Sequence, residues 1–330
     1  TALRLVRGNA AHAPAVAVVD ATMQLLHDHR LAPVLWACFP KYRPDGPQRV
    51  EADWEEYDRL VEGWVSGEAF GDFVGAAWWP LPVSADYPDA VREGGINSPQ
   101  YARLLAACLG ECRRHFAERG WKDQAFVRMY PPAPLSDELV ERVRRAGEIL
   151  RRSEAEVPLL AHLPARDLRG LGWRDAPQID TLGVGIWAPR AMWFEARAME
   201  RERAFGHESW LMPDEPPYSP PLSPAGRATD PRALGWLAYR YRAEGIWVEH
   251  AADVAGAGLG TPPLRGDCLV YPGAPFGLGD RPVPSLRLKR LRRGVQDHAL
   301  LTLLARRGRQ VLAQELAAQV VRWAGTDAGQ

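Results

Sequence analysis

The sequence predicts an α/β fold, and within that class a (β/α)8 TIM barrel carrying a terminal helical extension. Three observations lead there. Eight short apolar runs alternate with longer amphipathic segments, the pattern of successive βαβ units around a parallel sheet. The 330 residues supply enough chain for one such barrel, whose usual size is about 250 residues. No Gly-x-Gly-x-x-Gly follows the first strand, which weighs against a doubly wound sheet holding a dinucleotide.

Taken in order, Ala2–Val6 reads as strand one, followed by a helix over Pro14–Arg30. Pro33–Cys38 is strand two and Glu51–Trp64 its helix; Phe73–Trp79 is strand three, ending in Trp78-Trp79 before Pro80. Ser98–Arg119 places Leu104, Leu105, Cys108, Leu109 and Cys112 along one helical face. Ala125–Tyr130 is strand four. The helix after it opens at Ser136, whose hydroxyl can cap free amides, with Asp137 and Glu138 complementing the dipole. Val157–Leu163 and Ile179–Trp187 are strands five and six, and Pro189–Phe205 is helical. Glu208–Met212 is strand seven, followed by a proline-rich loop, a helix over Pro231–Ala243, and strand eight at Ile246–His250. Cys268–Tyr271, Ser285–Arg306 and Gln310–Trp323 complete the chain, so the barrel is expected over residues 1–308 and a packed helix over 309–330.

Composition narrows the function classes. Hydrophobic and charged contents of 46% and 25% exclude disorder, collagen and coiled coil. Forty-one basic residues balance forty-one acidic ones, which argues against a nucleic-acid partner held by bulk charge. No apolar run reaches the roughly 18–20 residues of a membrane span. The chain begins Thr1-Ala2-Leu3 without an initiator methionine or signal peptide, as a processed or trimmed product would. Cys108 and Cys112 stack on one helix face, but no Cys-x-x-Cys or histidine cluster completes a metal site, so buried free thiols are expected. His27-Asp28-His29 fans around its helix, and the run Lys289-Arg290-Leu291-Arg292-Arg293 reads as a solvated face. Neither a metal nor a cofactor is expected.

Thirteen tryptophans stand out, because flat amphipathic rings suit flat amphipathic ligands. A barrel of this kind works at the carboxyl ends of its strands. There the sequence delivers Trp36 and Cys38, Trp78 and Trp79, Tyr130, His162, Trp187, Trp210 and Met212, then Trp247, Glu249 and His250. Rings at that many strand ends suit a carbohydrate cleft floored by stacking platforms. Filling a large core is the competing explanation for each of them.

The last third of the chain carries a resemblance. Tyr271-Pro272-Gly273, Pro282-Val283-Pro284-Ser285-Leu286-Arg287-Leu288 and Leu291-Arg292-Arg293-Gly294-Val295-Gln296-Asp297-His298 resemble the signature of domain of unknown function 4091. That domain is related to the bacterial family 123 glycoside hydrolases, whose known members are β-N-acetylgalactosaminidases. Leu234–Tyr239 with Glu244–Trp247, and Gly120-Trp121 with Ala125–Tyr130, are similar to the family's approaches to strands eight and four. The resemblance implies a glycoside-hydrolase-like barrel, an N-acetylhexosamine-containing ligand, and an extracellular or cell-surface location. Members usually carry a β-sandwich ahead of the barrel, and this sequence is expected to start at the first barrel strand, with that β-sandwich absent. Arg287 and Asp297 belong to the signature and are expected to be structural, paired with each other across the helix region.

At the end of strand four the family places Tyr/Trp-Asp-Glu-Pro. Its Asp orients the sugar's acetamide as nucleophile and its Glu protonates the leaving oxygen. This sequence reads Tyr130-Pro131-Pro132-Ala133-Pro134 there. Proline has no proton to give and no charge to offer, so the resemblance implies a pseudoenzyme that still binds carbohydrate. Two further readings stay open: an active glycosidase using Glu249, Asp214 or Glu215, and a scaffold that binds protein partners. Asp214-Glu215-Pro216 spells the family motif in the loop after strand seven, where a mobile loop could swing it over the cleft.

Overall fold

The computed structural model describes residues 2–4, 13–36, 38–45, 49–85, 87–88, 95, 97–153, 155–165, 182–249, 251–252 and 268–321. They form two compact units, Thr1–Leu35 with Ala188–Gln330, and Trp36–Trp187.

The first unit begins with β1 (Ala2–Arg4), α1 (Ala13–Asp28) and β2 (Val34–Trp36), and β1 pairs with β2. In α1, Val19, Met23 and Leu26 recur at helical spacing and are buried, which is why this segment docks as a helix.

The second unit opens with a hairpin that the sequence reading missed. β3 (Lys41–Pro44) and β4 (Val50–Asp53) pair antiparallel, with Lys41 opposite Asp53. The helix expected from Glu51 therefore begins only at Glu55, as α2 (Glu55–Ser66). Residues 50–53 follow a period of two, Tyr42 reaching Pro82 and Cys112 from the facing strand, whereas Tyr57, Val61, Trp64 and Val65 of α2 follow the helical period. Strand three is also shorter than expected. Phe73 is exposed with φ of 57°, and the backbone at Gly75 lies so close to Val65 that an added Cβ would sit 2.0 Å from its carbonyl oxygen. Only β5 (Trp79–Pro80) is extended.

Next come α3 (Pro99–Glu118), β6 (Ala125–Phe126), α4 (Asp137–Arg152), β7 (Leu159–Ala161) and β8 (Val184–Trp187). Ser98 Oγ caps α3 by accepting from Tyr101 N at 3.0 Å, and Ser136 Oγ caps α4 from Leu139 N at 3.2 Å. The inner face of α4 buries Leu139, Val140, Val143, Ile149 and Leu150, each contributing about 1.5–3 kcal/mol. β5 pairs parallel with β6, Val127 bridges in parallel to Leu159, and β7 pairs parallel with β8. Sequence neighbours are thus spatial neighbours, β5 joined to β6 through α3 and β6 to β7 through α4.

The first unit resumes with a 3-10 turn at Ala191–Trp193, where helix was expected from Pro189, and α5 (Ala196–Ala204) follows. Then come β9 (Glu208–Leu211), α6 (Asp230–Tyr241) and β10 (Gly245–Ile246), with β9 and β10 parallel and Trp210 opposite Gly245. β11 (Val270–Tyr271) and β12 (Val283–Pro284) form an antiparallel ribbon leading into α7 (Leu286–Leu304) and α8 (Gln310–Val320). The turn between these helices places Gly308 in the left-handed region, φ of 81°. Helices α6 and α7 touch backbone to backbone: a Cβ on Gly235 would lie 2.0 Å from the carbonyl oxygen of Gly294. α8 packs through Ala313 and Ala317 against Leu301, Trp236 and Tyr239.

The expected pairing of Arg287 with Asp297 is not what holds these residues. Asp297 accepts from Arg232 Nε and Nη2, at 2.5 and 3.0 Å, and from Trp236 Nε1 at 2.8 Å. Arg287 donates to the carbonyl of Cys268 and to Tyr271 Oη.

Candidate functional site

In the second unit, Trp78 directly precedes β5 and Trp79 opens it. Trp79 is buried and its Nε1 donates to Tyr57 Oη at 3.0 Å. Trp78 is half-buried, its ring edge-on to Phe126 with centroids 6.3 Å apart. After β6 the chain runs Val127, Arg128, Met129 to the half-buried Tyr130, then to the exposed Pro131. Tyr130, Pro131 and His162 meet at one small cavity, closed by Leu139, Val143 and Ala146 of α4. Its volume of about 10 Å³ is room for a water molecule at most. Asp137 and Glu138 occupy the first turn of α4, as helix-start charges.

Arg128 was passed over by the sequence reading. It is 1% exposed, two residues before Tyr130, and a charge at that depth needs compensating groups around it. Its one visible signal is a cation interrupting Ala-Phe-Val-Arg-Met in an otherwise apolar strand. Trp187, at the end of β8, is equally buried, and its Nε1 has no acceptor among the described residues. An unmet buried donor of this kind costs about 1–3 kcal/mol. Cys38 is half-buried, and burial, with the charge of Glu56 adding to it, pushes its thiol up to about 12.

In the first unit, Trp210 and Trp247 stack on each other, centroids 6.0 Å apart and planes 14° apart. Each donates its Nε1 to a carboxylate two residues away: Trp210 to Glu208 at 2.6 Å, Trp247 to Glu249 at 2.7 Å. Burial raises the Glu208 carboxyl above its ordinary value. Gly245 has no substitute beneath this pair, since a Cβ there would meet the Trp210 ring at 2.9 Å. Exposure of 1%, 1%, 6% and 2% for Trp79, Trp187, Trp210 and Trp247 leaves none of them an open ring face. Trp78, Tyr130 and His162 remain the half-buried members of the predicted set. Trp36 ends β2 with its side chain outside the described residues, and His250 lies outside them altogether.

The Asp214-Glu215 pair is tied down rather than poised to swing. Asp214 is buried, its Oδ1 takes Arg190 Nη2 at 2.6 Å and Glu215 N at 3.0 Å, and its own N donates to Ser219 Oγ. Glu215 is exposed beside Ser223. Among the described residues no three His, Cys, Asp or Glu side chains converge as metal ligands. The four cysteines are free, with Cys108 and Cys112 buried, as their helical spacing suggested. Two roomier grooves avoid the predicted strand-end residues. One of about 970 Å³ runs along α3 and the β3–β4 hairpin, and one of about 790 Å³ lies between the proline-rich loop and α6.

Successive parallel strands, with α3, α4 and α6 as crossovers, define an α/β fold. The description "Glycoside hydrolase 123, catalytic domain" matches residues 91–304, and the chain belongs to that family. Its fold is similar to that of a family 123 glycoside hydrolase from Clostridium perfringens, with a TM-score of 0.62 at 11% identity. That match covers 92% of this chain and 57% of the other, so the chain spans little more than half of that relative's length. A monomeric β-xylosidase from Caulobacter crescentus aligns at a TM-score of 0.46 and 11% identity, over 88% of this chain and 66% of its own. No curated protein matches. No described helix is long and apolar enough to cross a membrane.

Proposed function

We propose that this family 123 domain is a carbohydrate-binding pseudoenzyme built on a closed (β/α)8 barrel. The observation that carries the reading is Pro131-Pro132, directly after Tyr130, where the family resemblance expects an Asp-Glu dyad. General acid catalysis alone contributes about 10²–10⁴-fold. A proline pair can neither protonate a leaving oxygen nor stabilise an acetamide. Parallel pairing of sequence-adjacent strands within each unit is what a singly wound barrel requires. Trp78, Tyr130 and His162 are the side chains we assign to sugar contact. Of the other carboxylates, Glu249 is engaged by Trp247 and Asp214 by Arg190.

The test pairs turnover with binding. The expected result is no release of chromophore from an N-acetyl-β-hexosaminide, together with saturable tryptophan quenching by amino sugars. Turnover above background would replace this reading with a glycosidase using Glu249, Asp214 or Glu215. A flat quenching response to every sugar would leave a scaffold for protein partners. Installing Pro131→Asp with Pro132→Glu is expected to raise hydrolysis detectably, if the rest of the family cleft persists around them.

A further inference from the structure

The net charge of zero hides a strong local asymmetry. From Leu286 to Val320, across α7 and α8, the chain carries eight arginines and lysines against two acids, Asp297 and Glu315. Asp297 is buried and held by Arg232 and Trp236, and its charge also offsets that of the exposed Arg293. None of Lys289, Arg292, Arg306, Arg307 or Arg309 has an acidic partner among the described residues, and all five are exposed. Lys289, Arg293, Leu300 and Leu303 recur at steps of four, seven and three, which puts them on one stripe of α7.

The same surface is apolar where a merely solvated face would be polar. Leu300 and Val311, which flank the Arg307–Gly308 turn, are 63% and 72% exposed, and Leu303 and Leu312 beside them are exposed as well. These helices are not loose: Gly235 against Gly294, and Ala313 and Ala317 against Leu301, fix their inner sides. The exposed leucines are therefore held outward by packing on the opposite side of the helices.

We propose that the α7–α8 turn is a peripheral docking surface for an anionic phospholipid bilayer. Polysaccharide sulfates and nucleic-acid phosphates would engage the arginines but gain nothing from Leu300, Leu303, Val311 and Leu312. The boundary between headgroups and acyl chains takes both, cations at the phosphates and aliphatic side chains just beneath. The arginine stems add apolar length along the same surface.

The experiment is co-flotation of the whole chain with phosphatidylcholine vesicles, with and without phosphatidylglycerol. Binding is expected only with phosphatidylglycerol, and is expected to vanish near 1 M salt, where screening acts within about 3 Å. Arg306→Glu with Arg307→Glu is expected to weaken partitioning more than about twentyfold, from roughly fivefold per cation. Leu300→Ser with Val311→Ser is expected to weaken it about tenfold while the circular dichroism spectrum and Tm stay unchanged. Absence of binding to phosphatidylglycerol vesicles overturns the proposal, as does equal binding to phosphatidylcholine alone. Unaltered binding by the serine variant together with competition by heparin or DNA would assign the surface to a polyanion instead. A dimer that the serine variant dissociates, with no vesicle binding, would assign it to a second copy.

Discussion

Two helix pairs in this chain are joined by opposite means. Between α2 and α3 the contact is made of side chains. His115 Nε2 meets Asp58 Oδ1 at 2.7 Å, Arg119 reaches the other oxygen of Asp58, and Trp54 lies flat on the His115 ring at 4.0 Å. Trp54 also donates to Glu111, and Trp121 packs edge-on against His115. Between α6 and α7 the centre of the contact has no side chain at all, only Gly235 against Gly294, with Arg232–Asp297 and Tyr239–His298 along its edge. A joint made of many groups can lose one and sag. A joint made of two backbones tolerates no addition. The first explains where several tryptophans go, and the second explains why glycine sits inside the segment that resembles a family signature.

The sharpest break is expected at the backbone joint. Gly294→Ala places a Cβ 2.4 Å from the carbonyl oxygen of Arg232, which forces the helices apart at a cost of about 3 kcal/mol, read by urea denaturation. Gly110→Ala is the control: it lies within α3 with nothing near its Cβ position, and the change is expected to stabilise by about 0.5–1 kcal/mol. At the side-chain joint, Asp58→Ala leaves His115 without its buried acceptor and is expected to cost about 2 kcal/mol, a discounted figure because Arg119 is partly solvated.

Acid is expected to loosen the α6–α7 edge in two stages. Burial lowers the pKa of His298 below 6.5, so its contribution is complete above that pH and is lost as pH falls through the lower, folded value. Burial opposes ionisation of Asp297, but the bonds from Arg232 and Trp236 and the charges of Arg232 and Arg293 outweigh it and hold the carboxyl below 3.8. Its contribution is present above that pH and lost on further acidification. A Tm series against pH checks this, and His298→Phe is expected to remove the first stage only. The smallest effect concerns chemistry without stability. Burial raises both thiols on α3, Cys112 up to about 12, so Cys108 and Cys112 are expected to resist alkylation at pH 8 until urea is added.

The helices were the most legible part of the fold. Ser98 and Ser136 mark their starts within a residue, because a capping hydroxyl followed by a periodic apolar face has one reading. The β3–β4 hairpin was not legible: Lys-Tyr-Arg-Pro and Val-Glu-Ala-Asp are short and charged, and their alternation is too brief to outweigh the helix that follows. Of the candidate site, the strand-end positions were readable but their depth was not. Runs such as Glu208–Leu211 contain too few residues for alternation to say which side is buried, so Trp210 and Trp247 gave no sign that they would cover each other. Arg128 was hidden for the same reason.

Trp187 has an optical consequence. Trp54, Trp79, Trp210, Trp236 and Trp247 each donate to an oxygen, while the buried indole N–H of Trp187 has no acceptor among the described residues. Such a chromophore emits at the short-wavelength edge of tryptophan fluorescence and is shielded from aqueous quenchers. The difference spectrum between the native chain and Trp187→Phe isolates that emission, and loosening of the surrounding core is expected to shift it to the red. The chain therefore contains, in one ring among thirteen, its own reporter of how closed this part of the core stays.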